Sequence, residues 1–140
     1  MQIKINNRAL LKISGNDSES FLQNQLSNDI SKLEGNSVQI NAYCQHQGKI
    51  IRLFWVMRYK DFFLLSFPSD LLDKIIARLQ MFIIMSDVSI EDISNQYSQI
   101  GLINENDSSA YSINENLSLL IASNLEKNIE MSSNNDEWIK

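Results

Sequence analysis

Three groups of side chains in this sequence have types and spacings that could do chemistry. Gln25, Asn28 and Asp29 follow one another closely and offer amide and carboxylate groups of the kind that read the edge of a heteroaromatic ring or a glutamyl chain. The competing reading is helix termination, where Asn and Asp satisfy local backbone groups. Tyr43, Phe54 and Trp55 supply flat rings that suit stacking on such a ligand, or core packing. Cys44 and His46 share a strand face if the strand runs on, and a Cys beside a His can be an activated thiolate. No Asn or Asp can be assigned as a third partner, and a lone Cys on a strand is more often a small core residue. No catalytic residue is assigned.

The tetrad His46-Gln47-Gly48-Lys49 reads as a turn first, although Gly48-Lys49 could touch a phosphate or a glutamate tail. Gln47 within that turn and Arg52 just beyond it complete the candidate ligand set of Gln25, Asn28, Asp29, Tyr43, Gln47 and Arg52. Arg52 and Arg58 lie on one strand face and could meet an anion, or form a solvated or salt-bridged face. With one Cys and one His, neither an intramolecular disulfide nor a closed zinc site can form. There is no phosphate loop, dinucleotide fingerprint or metal-spaced cluster, so no metal is expected.

Several segments must position these groups. Ala9, Leu11 and Ile13 alternate with Leu10 and Lys12 as a first strand, punctuated by Ser14-Gly15-Asn16. Asn16 or Asp17 can cap a helix whose stripe is Phe21, Leu22, Gln25 and Leu26. Val38, Ile40 and Ala42 alternate with Gln39, Asn41 and Tyr43, which predicts a strand with Val, Ile and Ala on its buried face. A hairpin then leads into a central strand, 50–59, and Lys60-Asp61 turns the chain into another, 62–67. Pro68-Ser69 opens a helix with Leu71, Leu72, Ile75, Ile76 and Leu79 on one face. Val88 and Ile90 predict an edge-like strand, and 100–103 and 117–121 two more. This order predicts an α+β domain, a mainly antiparallel sheet with helices packed on one face, over residues 1–123. Residues 124–140 read as a polar, Asn-rich tail or the start of a next segment.

The chain has 140 residues and a net charge of −5, which argues against a nucleic-acid groove, so no direct nucleic-acid binding is expected. No apolar run approaches the roughly 20 residues that span a bilayer, and the start lacks the apolar centre of a signal peptide. A cytoplasmic protein with no membrane partner is expected.

Taken together, Leu11-Lys12-Ile13-Ser14-Gly15-Asn16-Asp17 and Phe21-Leu22-Gln23-Asn24-Gln25-Leu26-Ser27-Asn28-Asp29-Ile30 resemble the opening signature of the YgfZ-type folate-binding family. That family lies within the glycine-cleavage T-protein (aminomethyltransferase) superfamily. Asn41-Ala42-Tyr43-Cys44-Gln45-His46-Gln47-Gly48-Lys49-Ile50 is similar to the same family's hairpin, and the likeness runs over about residues 10–102. It covers the N-terminal part of such a protein only. The family's Lys-Gly-Cys-Tyr-x-Gly-Gln-Glu motif, which holds its reactive cysteine, belongs to the second half of the complete protein and is absent here. The aminomethyltransferases place a carboxylate pair just beyond the hairpin turn, where this chain has Arg52 and Leu53.

The resemblance implies a glycine-cleavage T-protein N-terminal fold and tetrahydrofolate as ligand. It further implies a role in iron-sulfur protein maturation or tRNA modification without autonomous turnover. The first alternative is a truncated or split interaction fragment that pairs with a missing C-terminal half or with itself as a homodimer. The second is a folate-dependent aminomethyltransferase, disfavoured because transfer needs an acid or carboxylate near the reacting amine.

Overall fold

The computed structural model describes residues 1–44 and 50–124, without the side chains of residues 44 and 50–52. The strands are β1 (Gln2–Ile5), β2 (Arg8–Ser14), β3 (Gln39–Cys44), β4 (Ile50–Tyr59), β5 (Phe62–Pro68), β6 (Ser89–Asp92), β7 (Tyr97–Ile103), β8 (Tyr111–Ser112) and β9 (Leu117–Ser123). Two α-helices join them, α1 (Ser18–Gln25) and α2 (Leu72–Met81). A five-stranded sheet has the order β3-β4-β5-β2-β6, and a four-stranded sheet the order β1-β7-β9-β8. Every strand pair in both sheets is antiparallel.

The α+β reading holds, with both helices on one face of the larger sheet. Phe21 and Leu22 of α1 and Ile75 and Leu79 of α2 pack against Leu11, Ile13, Phe54, Val56, Leu65 and Phe67. The amphipathic stripe of α2 is the one its spacing predicts, and Pro68 precedes it, in a 3-10 turn entry at Ser69–Leu71. The other face of the larger sheet meets the smaller one. There Leu10, Met57 and Leu64 pack against Tyr111 and Leu119. The interior strand β2 is therefore buried on both faces: Leu10 is as inaccessible as Leu11 and Ile13.

Two strands have no counterpart in the sequence reading. β1 pairs with β7, Ile3 opposite Gly101, and β8 is a two-residue strand beside β9. β3 is where expected but its faces are exchanged. Asn41 and Tyr43 are buried on the helix side, while Ile40 is 45% exposed on the other. The physical reason lies in hydrogen bonding. The Asn41 side-chain oxygen accepts the Asn28 amide at 2.7 Å and its NH2 group donates to the Gln39 side chain at 2.9 Å, so the polar group is satisfied inside.

Asp17 does sit at the start of α1, but its carboxylate makes no helix cap. It accepts instead from the Asp87 amide at 2.8 Å, while the Asp17 and Asn16 amides donate to the Asp87 carbonyl and carboxylate at 3.0 and 3.1 Å. This reciprocal clasp ties the end of β2 to the segment before β6. Gly15 makes it possible: its φ is 113°, and a Cβ there would lie 2.2 Å from the Asp87 carbonyl oxygen. Among the described residues no helix is long and apolar enough to cross a membrane, and no cluster of His, Cys, Asp and Glu could hold a metal.

The two sheets are tied by one polar bridge. The buried Gln99 side chain accepts from the Ser66 hydroxyl and donates to the carbonyls of Arg8 and Ala9, both at 3.3 Å. Two stability predictions follow from these contacts. Gly15→Ala should lower the unfolding free energy by at least about 2 kcal/mol, combining backbone strain with the clash. Gln99→Leu should cost about 1–3 kcal/mol by orphaning the groups it pairs, against a near-neutral Gln80→Leu on the exposed side of α2. Urea unfolding midpoints measured on the purified variants check both.

Candidate functional site

The segment 26–29 lies along the outer edge of β3 and closes it. Leu26 bridges Tyr43, the Ser27 hydroxyl accepts from the Ala42 amide at 2.8 Å, and the Asn28 side-chain NH2 donates to the Ile40 carbonyl. Gln39 reaches the Asp29 carbonyl at 2.9 Å. An exposed strand edge with free N–H and C=O groups invites pairing with other chains, and this segment covers it with side-chain bonds.

Asn28 and Asp29 are thus engaged in local structure. The Asp29 carboxylate caps a 3-10 turn, Ile30–Lys32, by accepting from the Ser31 amide at 3.0 Å and the Ser31 hydroxyl at 2.6 Å. Those bonds hold its pKa below the usual carboxylate range. Gln25, the last residue of α1, is half-buried. Tyr43 is 1% exposed, with its ring 5.3 Å from Phe54, and its hydroxyl has no partner among the described residues. Phe54 in turn stacks on Phe67 at 4.9 Å, so this ring series is core. The structure brings Asn28, Asp29 and Tyr43 to one edge of β3 and does not assemble them around an opening. Gln47, His46 and Gly48-Lys49 lie outside the described residues, as do the side chains of Cys44 and Arg52. Arg58, on the helix-side face, pairs with Glu19 at 2.5 Å and lies over the Phe63 ring.

The face of β3 and β4 opposite the helices is open at one end. Ile40 stands opposite Trp55, and Leu53, two residues before Trp55, is 54% exposed. The Arg8 guanidinium lies 4.0 Å above the Trp55 ring and donates to the Ser66 hydroxyl and carbonyl at 2.9 and 2.7 Å. No carboxylate pairs with it among the described residues. Burial pushes its pKa down to about 10, which still leaves it a cation at neutral pH. A flat apolar wall with an uncompensated, forked cation at its edge suits a ligand that carries both a ring and an anion. Sequence reasoning had Trp55 but not Arg8, because nothing local marks an Arg at a strand start as inward-facing.

At the other end of the same inter-sheet space is a cavity of about 290 Å³. Tyr59 and Phe62, flanking the turn between β4 and β5, form one wall, and Tyr97 and Tyr111 face them from the smaller sheet. Leu64, Ile93 and Ile121 line it deeper, and Lys12, Glu91, Gln96 and Ser109 add polar groups. The Lys12 ammonium lies 4.5 Å from the Phe62 ring centroid. Burial, and next the nearby Tyr59, push the Tyr111 hydroxyl up to about 12. This cavity escaped the sequence reading because its lining comes from separate segments of the chain. The only local signal was the pair of aromatic residues bracketing Lys60-Asp61.

No family model matches the chain. It is similar to an aminomethyltransferase of Desulfitobacterium hafniense, 31% identical over 93 residues, which are 66% of this chain and 26% of that protein. An aminomethyltransferase of Exiguobacterium sibiricum is 36% identical over 94 residues, again 66% of this chain and 26% of that protein. The tRNA-modifying protein YgfZ of Vibrio vulnificus is 27% identical over 86 residues, 61% of this chain and 26% of that protein. The matches thus span about a quarter of these relatives' length. Among solved structures, the glycine cleavage system aminomethyltransferase T from Bartonella henselae superposes with a TM-score of 0.73 at 10% identity, covering 99% of this chain and 46% of that one.

The Tyr111 shift has a defined sign. Its pKa is about 12 folded against 10.0 ordinarily, so the unfolded chain loses this proton first. The contribution is intact below pH 10 and is lost as pH rises towards 12. Unfolding free energies measured in urea at pH 8, 10 and 11 should therefore fall less steeply across that window in Tyr111→Phe than in the parent chain.

Proposed function

Because this chain is a relative of the aminomethyltransferases and the YgfZ proteins and has the glycine-cleavage T-protein fold, we propose that it is a tetrahydrofolate-binding module acting by recognition, without turnover of its own. The observation that supports this reading most is the half-buried Arg8 on Trp55, which has no carboxylate partner among the described residues and lies beside the exposed Ile40 and Leu53. A reduced folate presents a flat ring system, which packs on Trp55 and Leu53, and a glutamate tail whose carboxylate matches the forked guanidinium of Arg8. Gln47 and Arg52, the remaining residues of the candidate ligand set, are part of the proposal as further contacts to the ligand. Asn28, Asp29 and Tyr43 serve it by fixing β3, and Gln25, at the end of α1, remains a candidate contact. Arg52-Leu53 offers no acid where the aminomethyltransferases carry their carboxylate pair, which favours recognition over aminomethyl transfer. The module would serve tRNA modification or iron-sulfur protein maturation in the cytoplasm, the first in line with the name of its YgfZ relative.

A second reading draws on the same open face. Ile40 and Leu53 are large, apolar and exposed side by side, as a surface that another half-protein or a second copy would cover. Calorimetric titration with 5-formyltetrahydrofolate, with the solution mass measured on the same sample, separates the two. The folate reading expects saturable binding to a monomer, weakened at least about tenfold in Trp55→Ala, about 1.4 kcal/mol. Arg8→Gln should lower affinity for the glutamate-bearing ligand more than for a tetrahydropterin lacking the tail. Absence of binding together with a dimeric mass that Leu53→Glu returns to a monomer would replace the folate reading with the second.

A further inference from the structure

The inter-sheet cavity at the Tyr59 end lies apart from the face just described. Met57, fully buried, stands between Trp55 and Tyr59 on the same face of β4, and packs with Leu10 and Leu119 as a plug between the two. A volume of about 290 Å³ falls at the lower end of the range for small-molecule sites, about 300–1,000 Å³, and admits one ring system rather than an extended ligand.

Its walls have a definite chemistry. Four aromatic residues, Tyr59, Phe62, Tyr97 and Tyr111, line one space without filling it, and Tyr59 and Phe62 meet each other in a tilted pair at 5.3 Å. Rings at opposite sides of a slot select a planar aromatic guest over an aliphatic one. An imperfectly packed core would be lined by apolar groups alone and would stay dry. Here the lining carries both signs of charge. Lys12 and Glu91 are direct cross-strand partners, yet among the described residues their head groups form no ion pair and the Glu91 carboxylate accepts no hydrogen bond. Among the described residues the Lys12 ammonium meets the Phe62 ring. A donor and an acceptor therefore stand side by side on one rim, both available.

We propose that this cavity binds an amino-oxo purine base of the guanine type, as the free base or nucleoside. Guanine carries an oxo acceptor next to ring and exocyclic N–H donors along one edge, the complement of a Lys beside a Glu. The oxo group takes the Lys12 ammonium, the N–H pair takes the Glu91 carboxylate, and the ring plane lies among Tyr59, Phe62, Tyr97 and Tyr111. Gln96 and Ser109 offer further donors and acceptors to the sugar. The one cation and one carboxylate cancel, and the chain's net charge is −5, so a phosphorylated form gains nothing here and is repelled.

The test is calorimetric titration of the described protein with guanosine, adenosine and guanosine monophosphate. Guanosine should bind at least tenfold more tightly than adenosine, whose matching edge lacks the oxo group and the ring N–H, and more tightly than its monophosphate. Glu91→Gln should remove most of the preference over adenosine, and Tyr97→Ala, a change at a partly exposed ring, should weaken guanosine at least fivefold. Trp55→Ala should leave guanosine binding intact, since the base does not reach the open face. Absence of guanosine binding to the folded parent chain would overturn the assignment. So would binding indifferent to Glu91→Gln and Tyr97→Ala, or binding lost in Trp55→Ala.

Discussion

The carboxamide of Gln99 is the constraint on which both surfaces depend. The two sheets otherwise meet through Leu10, Met57, Leu64 and Leu119, and apolar contact has no direction of its own. Several sideways placements of one sheet on the other would bury similar area. Only one lets a buried glutamine satisfy both ends, with its oxygen on the Ser66 hydroxyl and its NH2 group shared by the Arg8 and Ala9 carbonyls. A displacement that broke these bonds would strand polar atoms in the core, and that penalty selects the alignment. The same Ser66 hydroxyl accepts from Arg8, so the direction of the guanidinium, and with it the charge beside Trp55, is inherited from the inter-sheet tie. On one side of the tie the sheets part to leave the open face, and on the other they enclose the aromatic cavity.

The stretch that most resembles a family signature, 21–30, acts mainly through what it covers. Its Ser27, Asn28 and Asp29 meet the β3 edge with side-chain and carbonyl groups, replacing the ladder that a further strand would supply. That cover holds Ile40 and Tyr43 in register with β4, Tyr43 inward and Ile40 towards the open face. Of the polar residues that look like a ligand-reading set in sequence, Asn28 and Asp29 bond nearby backbone groups, and the surface they support is largely apolar.

Much of the fold was legible because its long elements carry strong periodicity. The central strand 50–59 and the α2 stripe of Leu71, Leu72, Ile75, Ile76 and Leu79 fall where their patterns place them. β1 and β8 escaped because four and two residues cannot establish a period, and their strand state comes entirely from partners distant in the chain. The exchanged faces of β3 show a different limit. Alternation reveals that two faces exist, while the choice between them was settled by the Asn28 amide reaching Asn41, an interaction between distant residues that hydropathy cannot weigh. Candidate residues come to notice in sequence where they sit in one stretch and escape it where tertiary structure gathers them, as with Arg8 and with the walls of the cavity.

The pairing of β1 with β7 orders events in time. Gln2, Ile3, Lys4 and Ile5 align with Leu102, Gly101, Ile100 and Gln99, so β1 emerges with its partner still about a hundred residues downstream. At roughly 5–20 residues per second, β1 waits roughly five to twenty seconds for it on the ribosome. The helix-covered sheet draws on residues 8–92 and can close first, whereas the smaller sheet, and Gln99 with it, arrives last. Both candidate surfaces lie where the two sheets meet. They thus form after the helix-covered sheet, and an emerging molecule holds that sheet's core before it holds either of them.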